Sequence, residues 1–174
     1  SGIRSIPYFA SEFRYRDYIK EDGVLSIFIS QSGETADTLA ALKFAKQNKS
    51  KILSIVNVNE SSISRESDFT LSIAAGPEIG VASTKAFSAQ LSVLSCLCLV
   101  ISRERKMISK EAEKKLTEAL LEVPSKMSLA LELSDKIKKI SEEMVDSKSA
   151  LFLGRGNCFP IAMEGALKLK EISY

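Results

Sequence analysis

The chain has 174 residues, 45% of them hydrophobic and 26% charged, which is enough apolar material to build a globular core. Its 24 basic and 22 acidic residues leave a net charge of +2, so nothing marks a nucleic-acid or membrane-surface partner. The absence of histidine excludes a Ser-His-Asp or Cys-His apparatus within the chain and most zinc chemistry. Any acid–base catalysis therefore requires Glu, Asp, Lys, Tyr or Cys, or a residue from outside this chain.

Three cysteines, an odd number, argue against a disulfide framework and predict a cytoplasmic protein. Cys96 and Cys98 lie two positions apart in a predicted helix, so they point in different directions and are not expected to share a metal ion. The N-terminus carries no signal-peptide pattern. The apolar run 86–101 is shorter than the roughly 20 residues of a membrane span. We interpret it as the buried core helix of a soluble protein without a membrane partner.

The first part of the chain alternates strand and helix patterns. A short strand is predicted at 6–9, where Pro7 places it at a sheet edge. Apolar, β-branched runs predict buried strands at 24–29, 52–56 and 69–73, with a helix at 35–47 between the first two. This alternation predicts an α/β fold, a three-layer sandwich of a parallel sheet between helices, of the flavodoxin-like or Rossmann-like class.

Helical patterns dominate after Gly80. They predict helices at 84–102, 110–122 and 125–145, with the second of these stopping at Pro124. A buried strand at 150–153 then leads into a helix from about Pro160. This fresh strand–turn–helix unit predicts a second similar subdomain. The predicted organisation is a first domain at 1–123, followed at 124–174 by a connecting helix and the beginning of the second subdomain.

Residues 30–35, here called the first turn, join the predicted strand 24–29 to the next helix. The first amides of a helix lack intrahelical partners and, with the helix dipole, form an anion site. Ser30, Ser32 and Thr35 add three hydroxyl donors, and Gly33 lets the backbone approach closely. A hydroxyl-rich cradle without a P-loop lysine predicts a site for one phosphate dianion. The alternative is plain N-capping of the helix by Ser32.

Residues 78–85, here called the second turn, form another hydroxyl-rich segment that leads into a helix. Ser83 and Thr84 both precede the long apolar run. Either residue could serve only as an N-cap, which is the alternative to a ligand-binding role for this turn.

Glu164, Lys168 and Glu171, here called the charged triad, have the spacing i, i+4, i+7 and lie on one face of the last predicted helix. One interpretation is a surface ion-pair ladder. The functional interpretation is a carboxylate base held beside an ammonium group, as an aldose–ketose isomerisation requires, since a proton leaves one carbon and returns to its neighbour. Glu171 is the candidate base.

Several longer segments resemble one family in the same order along nearly the whole chain. The resemblance is to the isomerase (SIS) domain of the glutamine–fructose-6-phosphate amidotransferases, or glucosamine-6-phosphate synthases. The segments are 10–16 (ASEFRYR), 30–38 (SQSGETADT), 78–87 (EIGVASTKAF), 151–156 (LFLGRG) and 164–174 (EGALKLKEISY).

The resemblance implies two SIS subdomains and conversion of fructose 6-phosphate, with ammonia from glutamine, into glucosamine 6-phosphate without a metal or cofactor. It implies further that Lys168 assists a proton shuttle by Glu171. A glutaminase domain in the full-length chain and a homodimer are also expected. The implied substrate contacts comprise phosphate ligands and one backbone contact to the sugar; they are Ser30, Gln31, Ser32, Thr35 and Val81.

The chain also departs from the family pattern. We expect it to be truncated at both ends, because the glutaminase domain, the first SIS strand, a ring-opening histidine and a Schiff-base lysine are missing. The piece alone is expected to bind weakly at best and to catalyse nothing. Phe159 stands where the family usually has tyrosine.

Two other functions fit part of the pattern. A sugar-phosphate sensing module would carry the first turn without Lys168 and Glu171, beside a DNA-binding domain that is not visible here. A module for assembly alone would leave Ser30 and Ser32 free to change without effect.

Overall fold

The computed structural model describes residues 1–15 and 23–173. Arg16 and Tyr174, the last residues of two of the family-like segments, lie outside the described residues. The chain divides into two compact units, Ser1–Met107 and Ile108–Tyr174. The domain boundary after residue 123 stays a prediction.

The first unit is built on a parallel sheet of three strands. These are β1 (Leu25–Ser30), β2 (Lys51–Val56) and β3 (Phe69–Ser72), in the order β1-β2-β3. Five of the six residues of the central strand β2 are buried, as expected of a strand covered on both faces. The predicted parallel sheet is confirmed. No observed strand end differs from its predicted position by more than one residue.

Helices cover both faces of this sheet. One face carries α1 (Ala10–Phe13), α2 (Ala36–Gln47) and α3 (Ser62–Glu66), while α4 (Thr84–Glu104) packs against the other. Because successive residues of a strand point to opposite faces, Val56 joins the first core and Ile55 the second. Leu42 from α2 and Ile63 from α3 are fully buried in the first core. The α/β sandwich of three layers is confirmed.

The interpretation of the apolar run as a buried core helix is wrong for most of its length. Of the residues of α4, Ala86 and Ser102 are buried, whereas Leu91 and Val100 are exposed. Ala86 and Val93 pack against the second core, so one side of the helix is covered by the sheet. In length and composition α4 would also suffice to cross a membrane, a test that core helices of soluble proteins pass as well.

The second unit consists of three helices among its described residues. They are α5 (Lys110–Leu131), α6 (Ser134–Glu143) and α7 (Cys158–Ile172). The predicted stop at Pro124 is wrong, because α5 continues through it. A proline removes one helical amide bond, and the strong helix formers around it sustain the remaining ones. The predicted helix 125–145 is correspondingly divided, with its break at Glu132 and Leu133.

Two predicted strands do not form. Residues 6–9 are irregular and lead into α1, and residues 150–153 are irregular before α7. Both segments have apolar sequences, but a strand exists only when a neighbour satisfies its backbone hydrogen bonds. Within residues 108–173 the structure contains no strand that could pair with 150–153. The second similar subdomain stays a prediction.

Candidate functional site

The first turn lies where β1 ends, at the carboxyl edge of the parallel sheet, and leads into α2. Gly33 adopts a φ of +67°, in the left-handed region that favours glycine. A Cβ atom at this position would lie 2.0 Å from Ser61 Oγ and 2.4 Å from Ser61 Cβ. Glycine is therefore required both by the backbone conformation and by the approach of the segment before α3.

The hydroxyl groups of the first turn form a small network. Ser30 Oγ and Thr35 Oγ1 lie 2.8 Å apart, and the Gly33 amide donates to Ser30 Oγ at 3.0 Å. The Glu34 amide donates to Ser32 Oγ at 3.2 Å. Ser30 is buried, whereas Ser32 is half-buried. The structure thus brings two of the predicted phosphate ligands, Ser30 and Thr35, into direct contact.

Ser32 does not cap α2, so the alternative interpretation of this residue is wrong. The N-cap position belongs to Thr35, whose carbonyl accepts from the Leu39 amide at 2.9 Å. Thr35 makes no side-chain capping hydrogen bond. Its hydroxyl instead contacts Ser30. The hydroxyl therefore does not cap the amides at the start of α2. These amides and the dipole of a 12-residue helix favour an anion at this end.

The short helix α3 braces the first turn, a feature absent from the sequence-based predictions. The Ser62 amide donates to Glu34 Oε1 at 2.7 Å, and the Ile63 amide donates to the Gly33 carbonyl at 3.0 Å. The hydrogen bond from the Ser62 backbone lowers the pKa of Glu34 below its usual value of 4.5. A serine cap on α3, Ser61 Oγ accepting from the Ser64 amide, was the available sequence signal.

The second turn is held by a carboxylate. Ser83 occupies the N-cap position of α4 with a φ of +51°, but makes no side-chain capping hydrogen bond. Glu78 Oε2 accepts from the Ala86 amide at 3.2 Å instead, and Lys85 Nζ donates to the Pro77 carbonyl. Capping by a hydroxyl of Ser83 or Thr84 is therefore wrong. A carboxylate eight residues upstream can replace it because the turn folds back onto the helix.

Val81, the predicted backbone contact to the sugar, lies within the second turn. The residue is 80% exposed in the turn between β3 and α4. Its proposed role does not depend on the valine side chain.

The charged triad lies on α7, with the predicted common face. Lys168 Nζ is 2.9 Å from Glu171 Oε2 and 3.3 Å from Glu164 Oε1. The lysine side chain is 23% exposed. This partial burial acts to lower the pKa of Lys168, but the hydrogen bonds and charges of Glu171 and Glu164 outweigh it and raise the pKa above its usual value. The ammonium form is thus favoured at neutral pH.

Among the described residues, potential metal-binding side chains are not clustered. No cluster of three His, Cys, Asp or Glu side chains among residues 1–15 and 23–173 could hold a metal ion. The predicted site residues fall into two sets. Ser30, Gln31, Ser32, Thr35 and Val81 belong to the first unit; Lys168 and Glu171 belong to the second.

Comparison with known proteins identifies the family. The model of the SIS domain family matches residues 2–100, more than half of the chain. The chain belongs to the SIS domain family. The matched range includes both turns and the whole three-stranded sheet, whereas the charged triad lies outside it.

Two curated relatives of this SIS chain carry the same name. Glutamine–fructose-6-phosphate aminotransferase (isomerizing) from Bartonella quintana is 51% identical over 165 residues, which are 95% of this chain and 27% of the relative. The protein of the same name from Bradyrhizobium diazoefficiens is 54% identical, with the same coverage. The chain therefore spans 27% of the length of these relatives.

Solved structures show the same SIS architecture. The C-terminal domain of glucosamine-fructose-6-phosphate aminotransferase from Francisella tularensis superimposes with a TM-score of 0.91 at 49% identity, covering 95% of this chain and 47% of that chain. Glucosamine-6-phosphate deaminase from Thermotoga maritima shares the fold with a TM-score of 0.59 at 20% identity, covering 91% of this chain and 46% of that chain.

Proposed function

We propose that this SIS chain is the part of a glutamine–fructose-6-phosphate aminotransferase that binds the sugar phosphate and isomerises ketose to aldose. The observation that carries the proposal is the first turn. Its hydroxyl groups converge at the end of β1, beside the amides that begin α2. A phosphate dianion accepts hydrogen bonds from both kinds of donor. The names of the relatives supply the substrate class.

In this proposal Ser30, Gln31, Ser32 and Thr35 donate to the phosphate, and the backbone at Val81 contacts the sugar. The hydrogen bond between Ser30 and Thr35 holds the first turn in shape before the ligand arrives. Each hydroxyl has a single hydrogen, so the bond between Ser30 and Thr35 opens when both side chains rotate to donate to a phosphate oxygen. The cost of ordering the site is therefore reduced before binding.

Glu171 and Lys168 have different tasks. Lys168 stays charged at neutral pH, since its pKa is raised, and so it cannot accept the proton. Of the two carboxylates beside Lys168, the family resemblance assigns to Glu171, 2.9 Å away, the removal of a proton from one carbon and its return to the next. Lys168 orients this carboxylate and stabilises negative charge that develops on the substrate.

The wider proposal concerns the longer enzyme. It includes a glutaminase domain that releases ammonia from glutamine, fructose 6-phosphate as substrate, glucosamine 6-phosphate as product, and a homodimer in the cytoplasm. An odd number of cysteines, Cys96, Cys98 and Cys158, supports a reducing location.

Binding tests the first turn. Glucosamine 6-phosphate is titrated into the 15N-labelled chain by NMR, with wild type, Ser32→Ala and the control Ser141→Ala on α6, whose hydroxyl donates to Ile137. We expect Ser32→Ala to weaken binding about tenfold, because one donor to a charged group is lost. The control should match the wild type. Equal affinity of Ser32→Ala and wild type would overturn the phosphate assignment.

Turnover tests the charged triad. In the full-length enzyme proposed here, Glu171→Gln should lower kcat by about 100-fold or more, because general base catalysis is removed while the shape is kept. Glu132→Gln, at the end of α5, serves as the control for loss of one carboxylate. Full activity of Glu171→Gln would refute the role of that residue. Binding of the sugar phosphate without any turnover would favour a sensing module.

A further inference from the structure

Asn57 occupies a central position in the sheet. It is the first residue after β2, which lies between β1 and β3. The carboxyl ends of parallel strands meet at one edge of a sheet. Asn57 is therefore flanked by the first turn, which follows β1, and by the loop after β3, which leads to the second turn. Nothing in the sequence pattern assigned a role to this residue.

The backbone of Asn57 is bonded to the first turn. Its amide donates to the carbonyl of Gln31 at 3.1 Å. This bond continues the pairing of β1 and β2 by one step beyond Ser30 and Val56, the last register pair. The position of Gln31, and with it the start of the first turn, is thus set by β2.

The side chain of Asn57 is bonded to the loop after β3. Its Oδ1 accepts from the Ala75 amide at 3.0 Å, and its Nδ2 donates to the Gly76 carbonyl at 2.7 Å. The loop has an unfavourable conformation, since Ala74 has a φ of +50°. A left-handed conformation is unfavourable for a residue other than glycine, because its Cβ lies too close to the following carbonyl oxygen. The two hydrogen bonds from the Asn57 side chain stabilise the loop in this conformation.

The held loop continues directly into the second turn. Pro77 accepts from Lys85 Nζ, and Glu78 accepts from the Ala86 amide at the start of α4. The path from Asn57 to the backbone at Val81 therefore runs through a segment that is bonded at both ends. A displacement of Ala75 and Gly76 would move the second turn relative to the sheet.

We infer that Asn57 is a positioning residue that joins the two turns, so that the phosphate and the sugar of one ligand are held at a set spacing. The inference rests on the proposed function of the first turn. An amide side chain suits this task because it donates and accepts at once. Aspartate would keep the acceptor for Ala75 but lose the donor to Gly76, and alanine would lose both.

The experiment compares two ligands on four forms of the chain. Glucosamine 6-phosphate and inorganic phosphate are titrated by NMR into wild type, Asn57→Ala, Asn57→Asp and Asn48→Ala. Asn48 is a matched control, because its Nδ2 donates to a backbone carbonyl, that of Phe44, at the end of α2. Thermal unfolding of each form is recorded in parallel. The quantity of interest is the ratio of the two affinities.

We expect Asn57→Ala to bind glucosamine 6-phosphate about fivefold to tenfold more weakly, with less than about a twofold change for inorganic phosphate, because only the sugar phosphate contacts both turns. Asn57→Asp should lie between Asn57→Ala and wild type. Asn48→Ala should lower the melting temperature without changing the ratio. If Asn57→Ala is too unstable to titrate, the ratio of affinities is compared between Asn57→Asp and wild type.

An unchanged ratio in both Asn57 variants would overturn the inference, whether neither affinity changes or both affinities fall by the same factor. The latter result would mean a structural role alone. Failure of the wild type to bind either ligand, at ligand concentrations high enough to detect the weak binding expected of this chain alone, is a different outcome, since it refutes the proposed function and the inference falls with it. A wild type that binds both ligands while the ratio stays fixed leaves the proposed function standing.

Discussion

At the residue scale, the first turn depends on groups that contact it from outside. Gly33 meets Ser61, and Glu34 accepts from the Ser62 amide at 2.7 Å. Both contacts come from the segment that forms α3. The turn is consequently held before any ligand binds, and its hydroxyl groups keep their relative positions. Such preorganisation increases affinity for the ligand, because less conformational freedom is lost on binding.

Glu34 should make the stability of the first unit depend on acid pH. Its pKa is lowered in the folded chain, so its contribution is present above the usual value of 4.5 and is lost as the pH falls through the lower folded value. We expect wild type to unfold at a higher temperature than Glu34→Gln at pH 7. The difference should shrink as the pH falls below 4.5, when followed by circular dichroism.

The control for this experiment is Glu132→Gln, which removes one carboxylate outside the first turn. A stability difference between wild type and Glu34→Gln that persists unchanged to the lowest pH would contradict the role of the Glu34 carboxylate.

At the element scale, α5 continues through a residue that disfavours a helix interior. Pro124 lies inside a helix of 22 residues. Its ring cannot donate an amide hydrogen, and it crowds the carbonyl four residues before it. Ser125 Oγ donates to the Glu122 carbonyl at 2.8 Å, and Ser128 Oγ donates to the Pro124 carbonyl at 3.1 Å. The carbonyl that loses its amide partner is that of Leu120, four residues before the proline, so these two side-chain bonds add contacts beside the interruption without replacing the lost one.

Replacing Pro124 by alanine should therefore stabilise α5. We expect Pro124→Ala to raise the free energy of unfolding by about 1–3 kcal/mol and to increase the helical signal at 222 nm, because an interior proline costs about 3 kcal/mol relative to alanine. Lys115→Ala, at an exposed position of the same helix, is the control. A loss of stability in Pro124→Ala would mean that the proline instead begins a separate helix at this point.

At the scale of the whole molecule, apolar side chains remain at the surface of each unit. On one face of β1 the residues Leu25, Ile27 and Ile29 are between 40% and 44% exposed. No strand of the described residues pairs with the outer edge of β1. In the second unit, none of the residues of α5, α6 and α7 is buried. Exposed apolar patches and open strand edges favour association.

The chain should therefore self-associate. We expect sedimentation velocity to show species heavier than the 19.1 kDa monomer, in a proportion that rises with concentration. Ile27→Lys should reduce this association, because a charge on an edge strand opposes pairing. Val145→Lys, at another exposed apolar position, tests whether the effect is specific to β1. A monomer at every concentration would contradict the prediction, as would equal effects of the two variants.

Much of the local structure around the candidate site could be predicted from local patterns. Apolar runs of a few residues predicted β1, β2 and β3, and the helical repeat predicted the face shared by Glu164, Lys168 and Glu171. Hydroxyl and glycine residues between a strand and a helix predicted the first turn. These patterns succeed because alternation, helical spacing and glycine at positive φ reflect residues close together in the chain.

Other features were decided only by the tertiary structure. The brace from α3 to Gly33, the cap from Glu78 to α4 and the bonds of Asn57 join segments separated in sequence. The strand predicted at 150–153 did not form for the same reason, because an extended segment needs a partner that its own residues cannot supply. The sequence by itself determined which segments favour strand, turn and helix. Hydrogen bonds between distant segments decided which of them became part of the site.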